Sequence, residues 1–79
     1  MRELIETIEI VGQDGRRAKV GVYQNYRYAQ KLGGQDRENL QIDYEHRLWG
    51  LLVPLVGREI FVHEQTGKLF QLVDVRSDS

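Results

Sequence analysis

Apolar and polar residues alternate near both ends of this chain, and the alternation lapses in its middle third. Leu4-Ile5-Glu6-Thr7-Ile8-Glu9-Ile10-Val11 is rich in β-branched residues and takes period two over its second half, which predicts a strand. Ala18-Lys19-Val20-Gly21-Val22 resumes the period after the turn Gln13-Asp14-Gly15. A three-residue loop with Gly15 left-handed sets Ile10 opposite Ala18 and Ile8 opposite Val20 on one face. The other face then pairs Glu9 with Lys19 and Ile5 with Tyr23. A two-residue Asp14-Gly15 turn would oppose Ile10 with Lys19 and mix the faces, so the longer loop is expected.

A second hairpin is predicted from Ile60-Phe61-Val62-His63 and Leu69-Phe70-Gln71-Leu72-Val73, which flank Gln65-Thr66-Gly67. Placing Gly67 at the left-handed position pairs Glu64 with Lys68, Val62 with Phe70 and Ile60 with Leu72. One face becomes wholly apolar, and the other mixes Phe61, His63, Leu69, Gln71 and Val73. A strand pair apolar on both sides belongs in the middle of a fold or against another chain.

Between the hairpins, Asp36 can cap a helix whose apolar positions are Leu40, Tyr44, Leu48, Leu51, Leu52 and Leu55. Pro54 disfavours helix at Val53, so this element spans 36–52. The competing reading is a strand with Leu40, Ile42 and Tyr44 on its inner face. Residues 26–32 either continue the second strand or form a helical turn stopped by Gly33. The expected architecture is a single α+β domain, 1–79: two antiparallel hairpins in one sheet with the central helix packed on it. An ordered core over 3–75 and a frayed tail over 76–79 are expected. A small SH3-like or barrel-like all-β domain is the alternative.

Composition narrows the chemistry. At 79 residues a chain buries only about 60% of its unfolded surface, so its stability is marginal without disulfides, a metal or a partner. Cysteine is absent, which removes disulfides and thiolate metal sites and leaves a partner subunit. The longest apolar run, Leu48–Val56, is interrupted by Gly50 and Pro54 and falls far short of the roughly 20 residues that span a bilayer. No basic start precedes an apolar stretch, so a cytoplasmic protein without membrane contact is expected.

Catalysis finds little support. Ser77 and Ser79 lie in the tail, Thr7 in a strand and Thr66 in a turn, so no rigid nucleophile–base pair is expected. Asp43 and His46 would share one side of a helical turn, but so short a spacing is weak metal evidence. The glycines Gly12, Gly15, Gly33 and Gly34 do not form a phosphate-binding loop. Many carboxylates neighbour an arginine, as in Arg2-Glu3, Arg37-Glu38 and Arg58-Glu59, and read as surface. No catalytic residue, metal, cofactor or small-molecule substrate is predicted.

Charge is unevenly spread. Residues 15–35 hold Arg16, Arg17, Lys19, Arg27 and Lys31 with Tyr23, Tyr26 and Tyr28, and no carboxylate. If the second strand runs on, Arg17, Lys19, Tyr23 and Arg27 share one face, an arrangement suited to tracking phosphates and stacking a base. RNA or single-stranded DNA binding through Arg16, Arg17, Lys19, Tyr23, Arg27 and Lys31 is therefore one expectation, although the sequence pI of about 6.1 is low for a dedicated binder. The favoured expectation is a non-enzymatic protein-binding module or regulator. Arginines outnumber lysines eight to three, and Trp49, Phe61, His63 and Leu69 supply aromatic and apolar area of the kind interfaces use. The partner is another protein or a second copy of the chain.

Overall fold

A computed structural model describes residues 1–73. Six antiparallel strands follow one another in chain order: β1 (Arg2–Gly12), β2 (Arg17–Lys31), β3 (Gly34–His46), β4 (Gly50–Val56), β5 (Ile60–His63) and β6 (Lys68–Leu72). Each pairs with its sequence neighbour, and β6 returns to β1 through Ile10–Leu72 and Gly12–Phe70 to close a barrel. The expected α+β fold with a central helix is overturned: no helix occurs among the described residues, and the all-β barrel is the architecture.

The helix over 36–52 fails for a physical reason. Its apolar spacing fits either element, but β2 is fifteen residues long, and its outer half needs a backbone partner. Gly33 and Gly34, at φ 92° and 129°, let the chain reverse within two residues and lay β3 back along β2, pairing Tyr26 with Asn39 and Lys31 with Gly34. Residues 26–32 thus continue the strand. The expected end of the ordered core at residue 75 and the frayed 76–79 lie outside the described residues.

The first hairpin keeps its expected register, Ile8–Val20, Glu9–Lys19 and Ile10–Ala18, with Gly15 at φ 83°. One position differs: a bulge at Ile5 brings Leu4, not Ile5, opposite Tyr23. The last hairpin slips by one residue. Its loop holds four residues, because His63 pairs with Lys68 and the amides of Thr66 and Gly67 both donate to the His63 carbonyl at 3.1 and 2.8 Å. Phe61 therefore meets Phe70 and Val62 meets Leu69. A one-residue slip exchanges the faces, so Phe61, His63 and Phe70 turn inward.

The core is Ile8, Ile10, Val20, Val22, Tyr44, Leu52, Phe61 and Phe70. Phe61 is 0% exposed, with its ring 4.9 Å from that of Tyr44. Pairing between β3 and β4 covers only Tyr44–His46 with Gly50–Leu52, so β1–β3 overshoot the short β4–β6 meander. The far half of β2–β3 stands out as a two-stranded arm. The turn 57–59 lies at the arm's end of the barrel, and the opposite end gathers the turns 13–16, 47–49 and 64–67.

Candidate functional site

The gathered turns frame a cleft of about 690 Å³, lined by residues that include Arg16, His46, Trp49, His63, Lys68 and Phe70. Trp49 is its centrepiece. The turn 47–49 joins β3 to β4, and Gly50 at φ 82° supplies the left-handed step that closes it. Before the turn, His46 faces the barrel interior, and its Nδ1 accepts the backbone N–H groups of Leu48 and Trp49 at 3.1 and 3.2 Å. On the far side, His63 Nε2 lies 3.0 Å from the Trp49 carbonyl. A carbonyl only accepts, so this nitrogen donates. The indole stacks on His46, with ring centroids 3.8 Å apart and planes 17° off parallel, and on Phe70 at 5.0 Å and 25°. Two histidines thus clamp the tryptophan through its amide, carbonyl and ring.

The clamp requires neutral His46, because protonation at Nδ1 would eject both amides. Its pKa is lowered, first by burial and then by Arg47 and His63. Nδ1 is occupied, so Nε2 carries the proton. His63 Nδ1 sits 2.9 Å from Thr66 Oγ1. That is nucleophile-to-base distance, but the pair lies within one hairpin turn, and Thr66 Oγ1 also accepts the Lys68 amide at 3.3 Å. This hydroxyl closes its own loop.

The structure brings three of the four expected interface residues together. Trp49, His63 and Leu69 line the cleft, with Trp49 and Leu69 each 39% exposed and His63 only 9%. Phe61 is the exception: the register slip carries it into the core, where it offers no surface. Leu48, strongly exposed beside Trp49, joins the cleft with His46, Lys68 and Phe70, which the sequence reading left out. One signal was available: a histidine two and three residues ahead of the amides it caps, followed by a glycine.

The basic window becomes the cationic side of a set of ion pairs, cross-strand except for Arg16–Asp14 within the turn 13–16. Arg27 Nε donates to Glu38 at 2.7 Å, and this pairing holds the Glu38 carboxyl below its ordinary pKa. Arg17 reaches Glu9 at 3.7 Å, Lys31 reaches Asp36 at 3.9 Å and Arg16 reaches Asp14 at 3.8 Å. Lys19 stands opposite Glu9. The Tyr23 ring, expected to stack a base, is covered by the Arg2 guanidinium 4.0 Å from its centroid. On the arm's inner face Arg37 bonds Glu3 and lies 4.1 Å over Tyr26, stiffening the ribbon. Asp43 and His46 fall on opposite faces of β3, since three residues along a strand reverse the side. Among the described residues no three His, Cys, Asp or Glu side chains cluster as metal ligands, and no helix is long and apolar enough to cross a membrane.

No family model, curated protein or solved structure matches this chain.

Proposed function

We propose that this chain is a small non-enzymatic protein-binding module acting through the loop-end cleft, with a second copy of the chain among its candidate partners. The supporting observation is the clamped Trp49: a partly exposed indole whose amide, carbonyl and ring are all held in place. A rigid aromatic anchor loses little conformational freedom on binding, and this is what interface hot spots have in common. Leu48 and Leu69 extend the apolar area on either side of it. A cytoplasmic location belongs to the same proposal and is compatible with a fold that, lacking cysteine, needs no oxidising compartment.

The nucleic-acid reading is the weaker one, because Arg27 donates a short hydrogen bond to Glu38 and the Tyr23 ring is covered by Arg2. The test is the assembly state of the chain, alone and with material captured from its host, by size exclusion with light scattering. Leu69→Asp should dissolve the dimer or release the partner while the circular-dichroism spectrum stays unchanged. A monomeric chain that captures nothing, or a complex indifferent to Leu69→Asp and Trp49→Ala, refutes the proposal.

A further inference from the structure

The lining of the loop-end cleft is electrically lopsided: Arg16, Arg17 and Lys68 stand against the single carboxylate Asp14. Asp14 is engaged locally, its Oδ1 accepting the Arg16 amide at 3.0 Å. The ion pairs Arg16–Asp14 and Arg17–Glu9 are long, at 3.8 and 3.7 Å, and both arginines are well exposed. Pairs of that kind contribute little and release the cation readily. Lys68 has no carboxylate within ion-pair distance among the described residues. The groove on the barrel wall between β1 and β5–β6 has the opposite balance, with Glu6, Glu9 and Glu59 against Lys19 and Arg58.

A second observation points to a ligand. His46 is more than nine-tenths buried, and its Nδ1 is committed to two amides. Its Nε2–H has no protein partner among the described residues. Since none of those residues holds a buried unpartnered polar side-chain atom, this N–H reaches solvent, and the cleft is the space its ring lines. Three cations, a histidine N–H without a protein partner and the aromatic rings of Trp49 and Phe70, all in one lining, describe a receptor for carboxylates carried beside an apolar group.

We propose that the cleft takes a short acidic peptide segment, its carboxylates meeting Arg16, Arg17, Lys68 and the His46 Nε2–H, and one apolar side chain lying against Trp49. This rests on the protein-binding reading and adds the chemistry of the partner. Trp49 is the sole tryptophan, so the site carries its own reporter. The probes are amidated peptides of glutamates around one phenylalanine, with lysine and glutamine counterparts, titrated by Trp49 fluorescence and by amide chemical shifts.

The glutamate peptide should bind saturably and shift Trp49 emission, with amide shifts centred on turns 13–16, 47–49 and 64–67. Raising the salt should weaken it, because the rim charges are exposed. Arg16→Glu combined with Lys68→Glu should lower affinity about tenfold or more through like-charge repulsion, with circular dichroism confirming the fold. Equal binding of the glutamine peptide at the same turns would overturn the acidic specificity and leave the protein-binding reading standing. Preference for the lysine peptide, shifts confined to the arm, or no response to any peptide would overturn the proposal outright.

Discussion

Replacing Phe61 by alanine should strongly destabilise this protein. The side chain is 0% exposed and packs against Tyr44, in a core of eight buried hydrophobic residues among those described. Removing a buried phenylalanine typically costs about 3–5 kcal/mol, because lost transfer free energy and an unfilled cavity add. At roughly 0.05–0.15 kcal/mol per residue, a chain of 79 residues has a total stability of about 4–12 kcal/mol. The substitution therefore removes a large share of it. With a urea dependence of about 1–1.5 kcal/mol per molar, as expected for a small domain, the midpoint should fall by roughly 2–5 M. The internal control is Leu69→Ala on the outward face, where 39% exposure limits the cost to about 1 kcal/mol. Equilibrium urea unfolding followed by circular dichroism reads both. Equal costs, or a larger cost at Leu69, would mean that the last hairpin has the other register and that the packing argument is wrong.

Further outcomes follow from the same geometry. Neutral His46 has a lowered folded-state pKa, so the unfolded chain binds the extra proton. Its contribution is present above the ordinary value of 6.5 and lost as pH falls from there toward the folded value. Urea midpoints between about pH 7.5 and about pH 5 should decline, the decline should flatten in His46→Gln, and an unchanged midpoint in the natural chain would refute the clamp. The Glu38 carboxyl should titrate below its ordinary range by carbon NMR and move back up in Arg27→Gln, since the Arg27 hydrogen bond is the leading cause of its shift; no movement would remove that pair from the arm. Gly21→Ala would place a Cβ 2.8 Å from Tyr23 Cε2 and 3.2 Å from Leu4 Cδ1. The Tyr23 ring would have to leave Arg2, with a cost of about 1 kcal/mol in urea unfolding. Labelled single-stranded oligonucleotides should leave the amides of Tyr23 and Arg27 unshifted even at low salt, where phosphate contacts are strongest. Salt-sensitive shifts at those two amides would restore the basic strand face as a functional surface.

The first hairpin was legible because its alternation is strict and a slip would have placed Lys19 among isoleucines. The last hairpin was not, because nearly every residue of Ile60–Val62 and Leu69–Val73 is apolar and either register buries a plausible face. Loop chemistry decided it: two amides converge on the His63 carbonyl and lengthen the turn to four residues, which no pattern of hydrophobicity records. In the middle third, Leu40, Tyr44 and Leu48 fit a helical stripe, but the demand of a fifteen-residue β2 for a backbone partner outweighs that local spacing. The site was half visible. Trp49 and Leu69 stood out as apolar area, whereas the clamp around Trp49 depends on His46 and His63 meeting across the closed barrel end. Their separation along the chain hides that encounter from any local reading.

Everything assigned to the cleft depends on which side chains of the last hairpin point inward. Cross-strand proton NOEs in the β5–β6 ladder measure this directly. Contacts linking Phe61 with Phe70 and Val62 with Leu69 are the predicted result. Contacts linking Val62 with Phe70 and Ile60 with Leu72 would return Phe61 and His63 to the surface, dissolve the Trp49 clamp and contradict the account.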